Sequence, residues 1–376
     1  MNFEFSAEQI ELREHLAGML EKSCPLEQVA SCFAGDAELG AALWQQLAEL
    51  GFLGLAIPEE LGGGGLSRLE QCVLAEELGR VVAPVPSVGS LYMCAELLRS
   101  CAGEEQLRRL LPELAAGALV GAFAGHEGLR DPLQATTAVD TAERIIGEKW
   151  PTIDFAGATH VMLTARDEAG TLGLYVVAVE GGKLSPTKLD SFDPSRPLHR
   201  LGFESASAEK LERFSPTNFA RALENAAVFV AFEQLGLAQA ALQTGIDYAL
   251  QRRAFGRVIG SYQAVKHRLV DMYGRIELAR THAYYAAWAI EHQNAELAAA
   301  SRLALVACNE AANFAARENI IVHGGIGFTV ESPCHLFLKR AQQTATLLGS
   351  GAALKQKILS DMLTTARAGG ASDGLR

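Results

Sequence analysis

The chain has 376 residues, of which 49% are apolar and 20% are charged, and its formal net charge is −11. This composition is typical of a globular protein with two or three packed units and not of a disordered chain. The negative charge argues against a nucleic-acid partner, because nothing offsets repulsion from phosphates. A membrane span is not expected either, since no uninterrupted apolar stretch of about 18 residues occurs.

The N-terminus and the cysteines predict a cytoplasmic protein. The first five residues, MNFEF, are acidic and lack the apolar core of a signal peptide. The seven cysteines are scattered and form no C-x-x-C pair, which predicts reduced, mostly buried thiols. No cluster of zinc-type ligands occurs in the sequence, so no metal site is expected.

The order of patterns along the chain predicts an α+β protein with three domains. Residues 1–118 show helical periodicity and predict an N-terminal α domain that begins at an N-cap, Ser6. Residues 119–217 contain short β-branched runs between Gly, Asp and Pro, the pattern of a small antiparallel β domain. Residues 218–366 predict long helices in a bundle of about four. Residues 367–376 are predicted to be a disordered tail.

Three segments carry a resemblance to a known family. They are residues 248–257 (YALQRRAFGR), followed by Gln263; residues 322–329 (VHGGIGFT); and residues 51–63 (GFLGLAIPEELGG). Together they resemble the acyl-CoA dehydrogenases, flavoenzymes that oxidise the Cα–Cβ bond of acyl-CoA thioesters. The resemblance covers almost the whole chain. It implies a helical domain, a β domain and a four-helix bundle, with FAD as the cofactor.

The segment of residues 248–257 is the first candidate cofactor site. The fixed fork of the Arg252 guanidinium suits a pyrophosphate, and the Phe255 ring offers an apolar face to adenine. In the family the matching Arg and Phe reach across a dimer interface to the FAD of the neighbouring subunit, with the residue matching Gln263 nearby. A solvated basic turn between two helices is the competing interpretation, and the downstream glycines favour the cofactor contact.

The glycine segment is the second candidate cofactor site. Glycines let a backbone approach a ligand closely and donate from N–H groups. In the family the residues matching His323, Gly324 and Gly325 contact the adenosine half of the same FAD. The Gln that family members often have two residues earlier is Ile321 here. A tight interhelical turn is the alternative, and His323 is expected to have a positional role, not a catalytic one.

The β domain should supply the flavin-ring side of a site. Residues 147–152 (GEKWPT) loosely resemble the family segment that places an aromatic residue and a Thr against the flavin, so Trp150 and Thr152 are candidate contacts. A buried core tryptophan is the competing and favoured interpretation for Trp150. The family loop before it is replaced here by residues 126–132 (HEGLRDP). This departure argues against a complete flavin pocket within this chain.

The usual catalytic bases are missing. Removal of an α-proton needs a carboxylate beside the substrate. Most family members carry this Glu in a Tyr-Glu-Gly-Thr segment, which residues 347–350 (LLGS) match. The Glu position is therefore Leu348, and Ser350 matches the Thr and becomes a cofactor contact implied by the resemblance. Other members carry the base on the first bundle helix, at the position of Ala226. Neither side chain can accept a proton.

Glu233 is the candidate replacement base. It lies seven residues after Ala226, on almost the same helix face and about 10 Å further along the axis. An ion pair with an arginine in or beside the bundle is the competing and favoured interpretation. Glu224 is a poorer candidate, because it is turned to the far side of the helix.

The chain combines the motifs that contact a neighbouring subunit's FAD with the absence of both usual bases. This combination resembles one subunit of the heterotetrameric α2β2 acyl-CoA dehydrogenases of bacterial steroid side-chain degradation. Residues 331–341 (ESPCHLFLKRA) also resemble that subgroup. In those enzymes one chain supplies the flavin pocket and base, and its partner supplies contacts across the interface. The resemblance implies an acyl-CoA substrate, a homo- or heterotetramer and an electron-transfer flavoprotein as acceptor. A self-sufficient homo-oligomer with Glu233 as base and a non-catalytic scaffold subunit remain alternatives.

Overall fold

The N-terminal part of the molecule is helical. A computed structural model describes residues 6–181 and 183–372, with side chains described as far as residue 363. The N-terminal helices are α1 (Ala7–Ser23), α2 (Leu26–Phe33), α3 (Glu38–Glu49), α4 (Arg68–Arg80), α5 (Ala95–Cys101) and α6 (Glu104–Ala115). Ser6 and Gln9 form a capping box at the start of α1, in which each side chain accepts a hydrogen bond from the other's backbone N–H.

A π-helix, Ser87–Cys94, interrupts this series, and all of its residues are buried. It begins directly after Pro86 and leads into α5. Because π-helices are rare and concentrate at functional sites, this segment is a candidate part of a functional site. Its first residue, Ser87, indeed reaches a buried carboxylate in the bundle.

The middle of the chain forms one sheet. Its strands are β1 (Gly121–Phe123), β2 (Ala138–Val139), β3 (Arg144–Thr152), β4 (His160–Arg166), β5 (Leu172–Ala178), β6 (Leu184–Leu189), β7 (Leu198–Ser207) and β8 (Glu209–Lys210). The spatial order is β6-β7-β3-β2-β4-β5-β8, with β1 beside β4. Most neighbours are antiparallel, as the sequence predicts, but β1 and β2 each pair in parallel with β4. Both strands are very short and are preceded by loops. Two or three residues are too few for an alternation of apolar and polar residues to predict a strand.

The C-terminal part is a helical bundle. Its helices are α7 (Pro216–Gln251), α8 (Gln263–Glu291), α9 (Leu297–His323), α10 (Cys334–Thr344) and α11 (Gly351–Ser372), and a hairpin of β9 (Arg253–Ala254) and β10 (Arg257–Val258) joins α7 to α8. Ser215 caps α7 by accepting a hydrogen bond from Asn218 N, with Pro216 in the first turn. Helix α7 is long and apolar enough to cross a membrane, but its most apolar window is 89% buried within the protein, as in a core helix.

Helices α4 and α7 cross in direct backbone contact at two glycines. A Cβ on Gly79 would lie 1.9 Å from Glu233 O, and a Cβ on Gly236 would lie 1.8 Å from Glu76 O. No other residue could occupy either position without separating the helices. The crossing holds the middle of α7 against the N-terminal helices, and Glu233 lies at this point.

The structure confirms the α+β class, with helices, then a sheet, then a bundle. All seven cysteines are buried free thiols, as the sequence predicts, and burial raises the pKa of Cys24 to about 12. The predicted domain boundaries lie in the α6–β1 connection and in the first turn of α7, and the domain division remains a prediction. Residues 367–372 of the predicted tail continue α11, and the tail remains a prediction. The rest of that tail, 373–376, lies outside the described residues.

Candidate functional site

The hairpin after α7 exposes an aromatic ring in a strained backbone conformation. Phe255 and Gly256 form its turn, and both have positive φ, 49° and 81°. This conformation suits a two-residue hairpin but costs a residue other than glycine about 1–2 kcal/mol. The Phe255 side chain is 96% exposed, so nothing within the described chain compensates for that cost by packing. An apolar ring held in this way is available to another molecule.

The end of α9 forms an open backbone turn. Helix α9 ends at His323, and Gly324 follows with φ 65° and ψ −139°. No heavy atom lies within 4 Å of a Cβ built on Gly324 or Gly325, so this backbone faces open space. Such a turn can receive a ligand closely and donate hydrogen bonds from its N–H groups.

A ring stack brings the two segments together. The imidazole of His323 stacks on Tyr248 with ring centroids 4.1 Å apart, and its Nδ1 lies 2.9 Å from Asn319 O. Tyr248 lies on the last turn of α7, one turn before Arg252, so the hairpin and the glycine turn share one end of the bundle. The contacts of His323 are those of a positional residue, and burial lowers the pKa of its ring.

This bundle end can bind an anion attached to a flat apolar group. Arg252 and Gln263 are exposed there, and no carboxylate in the described part of the chain pairs with Arg252. The guanidinium supplies a fork of donors, Phe255 supplies an apolar face, and the glycines supply backbone N–H groups. These residues fit the adenosine and pyrophosphate half of FAD.

The predicted contacts in the β domain fit a flavin ring less well than the bundle end fits the adenosine half of FAD. Trp150 is 37% exposed, so the favoured interpretation as a buried core residue is wrong. Its ring is already covered in part, because Arg200 lies over it at 4.8 Å and a Cβ on Gly128 would be 3.1 Å from it. Thr152 is fully buried, and its Oγ1 has no hydrogen-bond partner among the described residues. That orphaned hydroxyl is the one feature here that suits a bound polar group.

The hydrogen bonds of Glu127 hold the loop of residues 126–132 against the sheet. Its carboxylate accepts hydrogen bonds from Thr136 N, Thr137 N, both threonine hydroxyls and Lys149 Nζ, the last at 2.8 Å. Burial alone would raise the pKa of Glu127, but these donors outweigh it and hold the pKa well below its usual range. Lys149 is fully buried. Residues 126–132 are therefore fastened to β3 and to the segment before β2.

The residues at the two usual base positions are aliphatic and pack in or against the core. Ala226 is fully buried in the core, and Leu348 is half-buried and packs against the same core. Ser350 is exposed, and its Oγ accepts a hydrogen bond from Ala353 N at 3.2 Å, as an N-cap of α11 does. None of the three contributes a carboxylate.

Glu233 lies in a buried ion-pair network that joins all three parts of the fold. Its Oε1 lies 2.8 Å from Arg196 Nη1, and its Oε2 accepts a hydrogen bond from Ser87 Oγ at 2.8 Å. Arg196 also forms a two-pronged pair with Asp154, with distances of 3.0 and 2.7 Å. Arg340 of α10 lies 3.7 Å from Glu233 Oε1. The glutamate thus has the arginine-paired arrangement that the sequence favours.

The second half of the network is centred on Asp193. This carboxylate pairs with Arg340, whose Nη1 donates to Ala83 O at 3.0 Å. Burial opposes ionisation of Asp193, but the Arg340 charge outweighs it and lowers the pKa. Gln343 connects the halves, since it accepts from Asp193 N and donates to Arg196 O. Each buried charge is thereby paired, as a low-dielectric interior requires.

Sequence reasoning identifies none of Asp154, Asp193, Arg196 and Arg340 as important. These residues are separated by 37 to 147 positions from their partners, and such pairings have no local pattern. One signal was present: the loop Asp193-Pro194-Ser195-Arg196 carries opposite charges in a stretch without apolar periodicity.

The chain matches two family domains of known proteins. Residues 6–118 match the acyl-CoA dehydrogenase N-terminal domain, and residues 217–363 match the acyl-CoA dehydrogenase C-terminal domain. The acyl-CoA dehydrogenase IpdE2 of Mycobacterium tuberculosis is 33% identical over 352 residues, which cover 93% of this chain and 96% of that protein. IpdE2 of Mycolicibacterium smegmatis is 29% identical over 349 residues, or 92% and 95% of the two chains.

Solved structures agree with this assignment. A chain of a variant of the Tcur3481-Tcur3483 steroid ACAD superposes with a TM-score of 0.86 at 28% identity, covering 96% of this chain and 99% of that chain. A chain of the ChsE4-ChsE5 complex from Mycobacterium tuberculosis shares the fold, with a TM-score of 0.87 at 23% identity over 96% and 99% of the chains. The chain therefore belongs to the acyl-CoA dehydrogenase family, flavin oxidoreductases that act on CH–CH bonds.

Proposed function

We propose that this chain is one subunit of a heteromeric, FAD-dependent acyl-CoA dehydrogenase, in which it completes the FAD site of a catalytic partner. The substrate is a bulky acyl-CoA thioester, the compartment is the cytoplasm, and an electron-transfer flavoprotein is the acceptor. The single observation that carries the proposal is an asymmetry. The bundle end that suits FAD adenosine is open, whereas the chain offers no free carboxylate at either base position.

The chain's own residues would divide the work as follows. Arg252 would pair with the pyrophosphate, Phe255 would cover the adenine, and the N–H groups of Gly324 and Gly325 would bind ribose or phosphate oxygens. Gln263 lies at the start of α8 and adds a polar contact beside them. Bound FAD would supply the hydride acceptor for the acyl chain. The proton would leave to a carboxylate of the partner, because Ala226 and Leu348 cannot accept it.

The named relatives support a heteromer. The Tcur3481-Tcur3483 protein is by name a steroid ACAD with two components, and one of its chains is similar to this chain along nearly its full length. A steroid acyl-CoA is thus the substrate class that this resemblance suggests. The own-chain flavin contacts Trp150, Thr152 and Ser350 take part in the proposal only as secondary contacts, since the first two are partly or fully enclosed.

Arg252→Ala tests the proposal in the assembled complex. We expect FAD to be lost on gel filtration while the two chains remain associated. The reason is that removal of the Arg252 guanidinium leaves the pyrophosphate without its charged partner. Arg253→Ala is the matched control, since Arg253 is also exposed in the same hairpin but is not the motif position. Full FAD retention by the Arg252 variant would contradict the proposal and favour a scaffold subunit.

The self-sufficient alternative rests on Glu233. Both of its oxygens already accept partners within a buried network, so proton abstraction would first have to break the pair with Arg196. Glu233→Gln in the isolated chain separates the two hypotheses. Turnover that is present in the wild-type chain alone and absent in the variant, with flavin retained, would establish the alternative.

A further inference from the structure

A cleft of about 470 Å³ lies outside the candidate FAD site, between the N-terminal helices and the sheet. One wall is α3 with Trp44 and the proline segment at residues 84–86. The other wall contains the loop of residues 194–197 and two strand residues, Lys188 of β6 and His199 of β7. A volume of this size is in the range of small-molecule sites, and most of the lining is apolar.

The walls of this cleft are held in place. A Cβ on Gly40 would be 2.4 Å from Pro84 O, so α3 packs directly on the proline segment. Trp44 Nε1 donates to Gly117 O at 3.2 Å. On the opposite side Asp154 binds Arg196 and also accepts from Gly89 N at 2.8 Å. The cleft is preformed, and a ligand would not have to order its walls.

The charges at the cleft are not balanced at one edge. At its floor, Asp154 and Arg196 neutralise each other. Lys188 and His199 are direct cross-strand neighbours on β6 and β7, so their side chains share one face of the sheet. Lys188 is exposed, and no carboxylate in the described part of the chain pairs with it.

Asp36 on the facing wall forms no ion pair with Lys188. Asp36 accepts hydrogen bonds from Glu38 N at 2.9 Å and from Ser31 Oγ at 3.2 Å, both within its own segment. Burial lowers the pKa of His199, so its ring is neutral, and its buried Nδ1 has no hydrogen-bond partner among the described residues. The Lys188 ammonium and this unpartnered nitrogen therefore meet at one edge of an apolar cleft. An anionic group is the chemistry that they would bind.

We infer that this cleft binds an apolar carboxylate, with the carboxylate at Lys188 and His199 and the apolar body between Trp44 and the proline segment. Every residue that lines the cleft belongs to this one chain. The ligand carboxylate could be free or could be replaced by the phosphates of a CoA thioester.

Calorimetric titration of the full chain with 2-naphthoate tests this inference. Its neutral amide, 2-naphthamide, has the same apolar body and isolates the contribution of charge. We expect Lys188→Met to weaken naphthoate binding about tenfold or more, as loss of a hydrogen bond to a charged group does, and to leave the amide unchanged. Lys210→Met is the matched control, an exposed lysine on β8 of the same sheet.

A second variant and a second ligand complete the test. Ala41→Phe should fill the cleft and weaken both ligands, and the His199 ring signals should shift on adding naphthoate to the wild-type chain. Binding of naphthoyl-CoA but not naphthoate would reject the free acid. Equal affinities for acid and amide, or unchanged binding by the Ala41 and Lys188 variants, would overturn the inference.

Discussion

At the scale of single residues, the buried carboxylate of Glu233 connects stability with the question of catalysis. Glu233→Gln leaves Arg196 with one fewer anionic partner in the interior. We expect a loss of about 3 kcal/mol in the free energy of unfolding, the usual cost of breaking a buried pair. Urea denaturation measures it.

Ser87→Ala is the control for Glu233, since it removes only the hydrogen bond to Oε2 and should cost about 1 kcal/mol. Turnover of the assembled enzyme should survive both changes once each variant is folded. A Glu233 variant of full stability and no turnover would show that the residue is the base after all.

Glu127 predicts a pH dependence of stability. Its pKa is held below the usual range in the folded protein by Lys149 and the threonines, against the opposing effect of burial. A carboxyl with a depressed folded-state pKa contributes stability above its unfolded-state pKa, about 4, and loses it as the pH falls towards the folded value. The wild type should therefore lose stability on acidification below about pH 4.

Glu127→Gln should lower the free energy of unfolding at pH 7 by roughly 2 kcal/mol. The difference between the two proteins should then shrink as the pH falls, which chemical denaturation at several pH values would show. A difference that stays constant down to pH 2–3 would mean that the Lys149 pair does not control the pKa of Glu127.

At the scale of elements, the β9–β10 hairpin should show opposite effects on stability and on cofactor retention. Phe255 has a positive φ, which glycine adopts without steric cost. Phe255→Gly should stabilise the isolated chain by up to about 1 kcal/mol, measured as a rise in Tm. The same change should weaken FAD retention in the complex, because the adenine loses its apolar cover.

Phe255→Asn separates the two effects, since asparagine tolerates this conformation but offers no ring. It should resemble the glycine variant in FAD loss. A hairpin that serves only as a connection would show the gain in stability without any change in bound flavin.

Periodicity predicted most elements and few of their contacts. The long helices α7 to α9 were predicted because their apolar patterns are extended, and the strands of the β domain because they are rich in β-branched residues. The π-helix at Ser87–Cys94 and the short parallel strands were not predicted, since their geometry depends on neighbours that are distant in sequence. The family motif predicts cofactor contacts for Arg252, Phe255 and Gly324, which remain a prediction, whereas the Arg196 network depends on tertiary packing alone.

At the scale of the whole molecule, helix α8 exposes three large apolar side chains that have no partner in the described chain. Val270, Tyr273 and Leu278 lie on adjacent turns and are 63%, 56% and 63% exposed. Gly274 lies between them, with no heavy atom within 4 Å of a built Cβ. Groups of exposed apolar side chains mark association surfaces, and small residues let another helix approach.

Leu278→Glu should therefore lower the molar mass of the assembly in light scattering, because a charge would be buried in the contact. Leu50→Glu is the control, because Leu50, at the end of α3, is also an exposed leucine (54% exposed). An unchanged mass for the Leu278 variant would show that α8 does not form the subunit contact.

The proposed function requires a second chain for catalysis. Flavin absorbance and ferricenium-linked acyl-CoA oxidation, measured on the chain alone and on the chain co-expressed with a second acyl-CoA dehydrogenase chain, test this need. We expect little bound flavin and no turnover for the chain alone. We expect bound flavin and turnover for the co-expressed pair. Full flavin occupancy with turnover by the isolated chain would contradict the proposed function.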